Sequence, residues 1–302
     1  MNYGGVVKRA LEITWGHKAL WLFGVLLALV GAGGRGASQH AQFTVSRGDR
    51  LHPGLVLALV AALVLVVVVA MLVTAVVGYL SRGALMGMVQ EIEERGNTSV
   101  PSGLRIGWSR FLHLLAIDVV SAIPVTLAAL VMLALSLSPL VLLAAQRTLL
   151  TVVGIILTVG FLLATIATLT IVGLVVTVLR ELAGRRCVLE KEGALDCIRA
   201  GYRMGGDNLR HVGLIWLLLL AIDLAIGLAA IALVLAMLTA AAVPALVIFA
   251  LTRAAPLAAA TGVVLLLPGV LLLTLARGIY EVFRSATWTV AYLRLPVRSP
   301  AD

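Results

Sequence analysis

Two aspartates stand inside long apolar runs, each ending the same tetrapeptide, Leu-Ala-Ile-Asp, at Asp118 and Asp223. A carboxyl group so placed either exchanges protons or cations, or stays neutral and hydrogen-bonded. The shared tetrapeptide suggests a pair, but the spacing argues against it. Asp118 follows His113 by five residues and Asp223 follows His211 by twelve, roughly 8 and 18 Å along a helix. The near candidates for Asp118 are Arg110 and His113, which make it an interfacial carboxylate. For Asp223 they are the hydroxyls of Thr165, Thr168 and Thr170, which make it either a packed carboxyl or a group in a polar cavity.

Three histidines recur in one setting. His17, His113 and His211 each stand eight residues after an arginine, Arg9, Arg105 and Arg203. Three converging imidazoles can hold a metal. However, Lys18 follows His17 and Arg210 precedes His211, and such cations repel a metal. We therefore read the arginine and histidine sets as anchors at a lipid headgroup layer. His40, Asp49 and His52 are a scattered metal hint, and Cys187 and Cys197 lack zinc-site spacing. The glycines of 31–36 match a dinucleotide fingerprint in spelling alone, with no preceding strand. No phosphate loop, His-Glu-x-x-His motif or nucleophile elbow is present. The expectation is a non-enzyme without cofactor or metal.

The elements that position these residues repeat. From Arg9 to Arg105 is 96 residues, and from Arg105 to Arg203 is 98. A second marker, the arginine closing each apolar hairpin, stands at Arg82, Arg180 and Arg277, with offsets of 98 and 97. Two markers drifting together predict one unit three times over: an amphipathic segment followed by a hairpin, over about 3–96, 97–192 and 193–295.

Composition says where such hairpins live. Hydrophobic residues are 62% of the chain and charged residues 12%, against roughly 45–50% and 25% in soluble domains. Charge-free stretches run over 19–34, 55–80, 111–146, 148–179, 212–252 and 254–276, apart from the two aspartates. Six runs of that length predict an all-α polytopic membrane protein with six transmembrane helices, forming one membrane domain over 1–302. In that setting each intramembrane aspartate costs at least about 2.5–3.5 kcal/mol when ionised. The first run is short for a crossing, so its helix is expected to begin near Thr14.

Charge asymmetry orients the spans. With the N-terminus inside, 18 of the 23 lysines and arginines fall on the inner side and five outside, so both termini are expected in the cytoplasm. The +9 net charge then faces anionic headgroups. Nucleic acid is not expected as a partner, because the charge is spread over loops. A cleaved signal peptide is the other reading of the N-terminus, but Val6, Val7, Ala10, Leu11 and Trp15 form a helical face ahead of the apolar run.

The inner connections read as interfacial helices. In 193–206, Leu195, Ile198, Tyr202 and Gly205 form one face, opposite Asp196, Arg199 and Arg203. In 98–108, Leu104 and Trp108 face lipid. The patches Glu91–Arg95 and Glu190–Glu192 read as solvated loops closed by Gly96 and Gly193. On the outer side, Pro139 and Pro244 each suggest a short helix ending at a snorkelling arginine, Arg147 or Arg253.

Two stretches resemble a known group. Thr14-Trp-Gly-His-Lys-Ala-Leu-Trp-Leu-Phe-Gly24 resembles the opening of a broad group of bacterial six-span membrane proteins. Phe283-Arg-Ser-Ala-Thr-Trp-Thr-Val-Ala-Tyr-Leu-Arg-Leu295 resembles their closing segment. The group includes the membrane domain attached to some glycerophosphodiester phosphodiesterases and related stand-alone proteins of unassigned function. The resemblance implies a six-helix domain connected to lipid or envelope physiology. It does not imply the phosphodiesterase activity, since no residues match the catalytic barrel.

The resulting expectation is a non-catalytic, accessory or lipid-interacting protein of the bacterial inner membrane. A transporter or channel using Asp223 is the alternative.

Overall fold

The computed structural model describes residues 2–36, 53–145, 148–190 and 193–294. It is all-α, with helices α1 Tyr3–Gly16, α2 Ala19–Gly36, α3 Pro53–Arg95, α4 Val100–Leu137, α5 Thr148–Leu189, α6 Ala194–Asp207, α7 Leu209–Thr252 and α8 Ala255–Leu293. A 3-10 segment, Ser138–Ala145, follows α4. Among the described residues, α3, α4, α5, α7 and α8 are each long and apolar enough to cross a membrane. The chain is thus an integral, multi-pass membrane protein. A sixth span requires α1 and α2 to be counted together, across a 98° bend.

That bend corrects the expectation that the first span begins near Thr14. The helix stops at Gly16 and restarts at Ala19. Trp21 fixes the corner, its Nε1 donating to the Thr14 carbonyl at 2.8 Å and so satisfying an orphaned end of α1. The other termini follow local rules. Asn2 caps α1 by accepting from the Gly5 amide at 3.1 Å. Gly96, at φ 73°, closes α3 in a left-handed conformation that only glycine adopts freely. Glu91 near the end of α3 accepts hydrogen bonds from the hydroxyls of Thr98 and Ser102, at 2.8 and 2.9 Å. The Glu91–Arg95 patch is therefore a clamp between α3 and the start of α4, more than a solvated loop.

Pro244 gives a second correction. It does not start a short outer helix but lies inside α7, which runs on to Thr252. The turn to α8 is made at Arg253, at φ 54°. Pro139 does lie in a short 3-10 segment. Arg147, His40, Asp49, His52, Lys191 and Glu192 fall outside the described residues.

The helices pack as two units, Met1–Phe111 with Gly213–Leu295, and Leu112–Val212. In the first, α1, α2, the end of α3 and the end of α8 form a core. Val6, Ala10, Ile13, Leu20, Phe23, Leu85, Met88, Val89, Ile92, Val282, Ala286 and Val290 are all buried there. Helices α2 and α8 meet at bare backbone, where a Cβ on Gly24 would lie 2.3 Å from the Gly278 carbonyl oxygen. Leu20 and Phe23 of the first resembling stretch, and Ala286 and Val290 of the second, are among these core residues. In the second unit, Ile117, Ala183, Cys187 and Cys197 form a smaller core where α6 meets α4 and α5. The rest of each long span is almost wholly exposed, leaving an apolar surface compatible with hydrocarbon.

Candidate functional site

The glycines at the start of α4 and in α6 explain how the interfacial segments are held. A Cβ on Gly107 would sit 2.4 Å from the Leu80 carbonyl oxygen of α3, and one on Gly103 would sit 2.3 Å from the Met88 sulfur. In the second unit, a Cβ on Gly201 would lie 3.1–3.2 Å from Ala183 of α5, and one on Gly205 would lie 2.9 Å from Leu179. Each segment thus lies against the end of the preceding long helix through a face of small residues. Gly103 and Gly107 precede Gly201 and Gly205 by 98 residues, the offset that relates Arg105 to Arg203.

Docking this way sorts the remaining faces. On α6, Cys197, Gly201, Met204 and Gly205 are turned inward, while Leu195, Tyr202, Arg199 and Arg203 are exposed. Gly205 therefore belongs to the protein-facing side, where the two-faced reading had set it beside Leu195. On α4, Leu104, Arg105 and Trp108 are exposed. Each segment presents one apolar edge and arginine beside it, the surface an interfacial helix offers to headgroups.

The other candidate anchors vary. Arg9 is ion-paired across helices with Glu93 at 2.7 Å and along its own helix with Glu12 at 3.3 Å. The Glu93 hydrogen bond, and next its charge, hold the Arg9 guanidinium above its ordinary pKa. His17 places Nε2 3.4 Å from the Gly96 carbonyl oxygen. His113 and His211 are half-buried. Among the described residues no three His, Cys, Asp or Glu side chains gather as metal ligands. Arg185 is buried on α5 and ion-paired with Glu181, while Arg186 pairs with Glu190 at 2.9 Å.

Asp223, half-buried on α7, accepts a hydrogen bond from the phenol of Tyr280 on α8. Sequence reasoning missed this partner, having looked for a hydroxyl on the fourth span. Thr168 and Thr170 donate instead to the carbonyls of Ala164 and Ile166 in their own helix, and Thr165 is buried. Next to Tyr280, Glu281 accepts from Arg277 at 3.2 Å and lies 4.0 Å from Arg284. The polar groups on this part of α8 are thus matched internally. Asp118 is half-buried on α4, its carbonyl accepting from the Ser121 hydroxyl at 3.2 Å. No protein-family model, curated protein or solved structure matches the chain.

Proposed function

We propose that the protein is a non-catalytic component of a bacterial inner membrane that acts by engaging anionic lipid, with both termini in the cytoplasm. The observation behind this reading is the docking of α6 and the first turns of α4. Glycine faces hold both segments on the protein and leave Leu195, Tyr202, Arg199 and Arg203, and likewise Leu104, Trp108 and Arg105, facing outward. A surface built in this way, level with the arginine-marked ends of the spans, suits headgroups better than it suits a substrate.

The position of Asp223 favours this reading over a transport pathway. Asp223 stands 30 residues before the turn at Arg253 and Tyr280 stands 27 after it. At 1.5 Å per residue both are about 40–45 Å from that turn along their helices, more than the roughly 30 Å hydrocarbon thickness. That supports a place at the inner edge of the bilayer, level with Arg277 and Arg284, and weakens the reading of Asp223 as a carboxyl set within the hydrocarbon.

Two measurements test the proposal. Single cysteines at residues 97 and 193 are expected to resist an impermeant thiol reagent in intact cells and to react once the membrane is opened. Labelling in intact cells would reverse the topology. Replacing Arg199 and Arg203 with glutamate is expected to lower the selectivity for spin-labelled phosphatidylglycerol over phosphatidylcholine, by about 1 kcal/mol per positive charge removed. Because α6 is docked on α5, it should stay folded while selectivity falls. An unchanged selectivity would remove the lipid-engaging role.

A further inference from the structure

The docking of α6 leaves an open cleft, a groove lined by Ile117 and Ser121 of α4, Val176, Leu179, Arg180 and Ala183 of α5, and Ile198 and Tyr202 of α6. Its enclosed part is only about 20 Å³, so that an occupant would lie along it and reach beyond it. The walls are apolar apart from one cation, one phenol and one hydroxyl. Ser121 already donates to the Ile117 carbonyl at 2.6 Å. Arg180 is different, since its Nε is buried and has no hydrogen-bond partner. The adjacent carboxylate does not serve it, because Glu181 is ion-paired with Arg185.

A guanidinium donor buried without an acceptor is unfavourable, and a phosphate is the acceptor its planar fork fits best. No carboxylate lines the cleft that would receive an ammonium group. Arg180 is also one of the three arginines that close the apolar hairpins, so the cleft opens where headgroups give way to chains. A small soluble anion would leave the apolar walls unused.

We propose that this cleft binds one anionic glycerophospholipid, its phosphate on Arg180 and its glycerol and upper acyl chain along Ile117, Val176, Leu179 and Ile198. This site rests on the lipid-engaging reading above and sharpens it from a diffuse surface to a single stoichiometric position.

Native mass spectrometry of the full chain in mild detergent, titrated with dioleoyl phosphatidylglycerol, tests it. The wild-type protein is expected to retain one lipid molecule, and Arg180→Gln to bind it about tenfold more weakly, as losing a charge-assisted hydrogen bond implies. Ile198→Trp, which fills the cleft and leaves every arginine in place, is expected to abolish retention with an unchanged melting temperature. Should Arg180→Gln fail to fold, Ile198→Trp decides the matter alone. Retention at wild-type strength by a folded Arg180→Gln, or by Ile198→Trp, overturns the proposal. So does equal retention of dioleoyl phosphatidylcholine, or displacement of the lipid by millimolar inorganic phosphate. Loss of selectivity in Arg199→Glu/Arg203→Glu alongside an unaffected Arg180→Gln would reject the cleft and leave the broader lipid role standing. Insensitivity of every variant would reject both.

Discussion

Gly24→Val is expected to destabilise the protein by about 3 kcal/mol or more, the upper range for forcing a side chain into a filled contact. The reason is that α2 and α8 touch through backbone. A Cβ on Gly24 would lie 2.3 Å from the Gly278 carbonyl oxygen and 2.5 Å from Val282 Cγ2. From the other side, a Cβ on Gly278 would lie 2.8 Å from the backbone of Val25. A side-chain rotation relieves neither contact, so the two helices must separate. Separation also uncovers Phe23, Val282 and the α1 residues packed on α8. Gly160→Ala on α5 is the control. Nothing lies within 4 Å of its Cβ position, so alanine should be neutral or stabilising by up to about 0.5–1 kcal/mol, since it restricts the unfolded chain. Melting temperatures in detergent separate the two cases. Equal effects at both sites would show that the close crossing is not what holds the core.

The crossing also shows where the sequence was readable. The long spans follow from uninterrupted apolar runs, because lipid imposes a requirement on every residue of a run. The amphipathic pattern of α6 was readable for the same reason, its charged face being marked by Asp196, Arg199 and Arg203. Its third face was not, because Cys197, Gly201 and Gly205 announce docking only by being small, and smallness does not name the surface that will be met. A signal was nevertheless present. Gly103 and Gly107 recur as Gly201 and Gly205 at the same offset as the arginines, and each pair lies against the helix before it. The starting point of the first span was misjudged because an apolar run shows how long a helix can be, not where Trp21 will cap the preceding one. Pro244 misled because a proline signals a helix start only where its missing amide is otherwise unused. Within α7 the helix continues through it.

For the Asp223–Tyr280 pair, Asp223→Ala is expected to cost about 1–3 kcal/mol, because it leaves the buried Tyr280 hydroxyl without its acceptor. Asp223→Asn keeps a carbonyl oxygen in the same place and is expected to cost under about 1 kcal/mol. Tyr280→Phe removes the donor instead. In a double-mutant cycle, adding it to Asp223→Ala should cost less than the two changes do separately, the signature of a direct contact. These values describe a latch between α7 and α8. A pathway residue behaves differently, because a carboxyl that must take up and release a proton or cation cannot be replaced by an amide at any gain in stability. In liposomes loaded with a pH-sensitive dye, a transport role requires proton or cation flux in the wild type that Asp223→Asn abolishes while the protein still inserts. The latch predicts no difference between the two. Tyr280 is the reason to expect the latch. It holds the carboxylate from the neighbouring helix, and the charges beside it on α8 are already paired through Glu281 with Arg277 and Arg284. A mobile proton or cation would have to displace a buried phenol and then find no unpaired charge on that face of α8 to receive it.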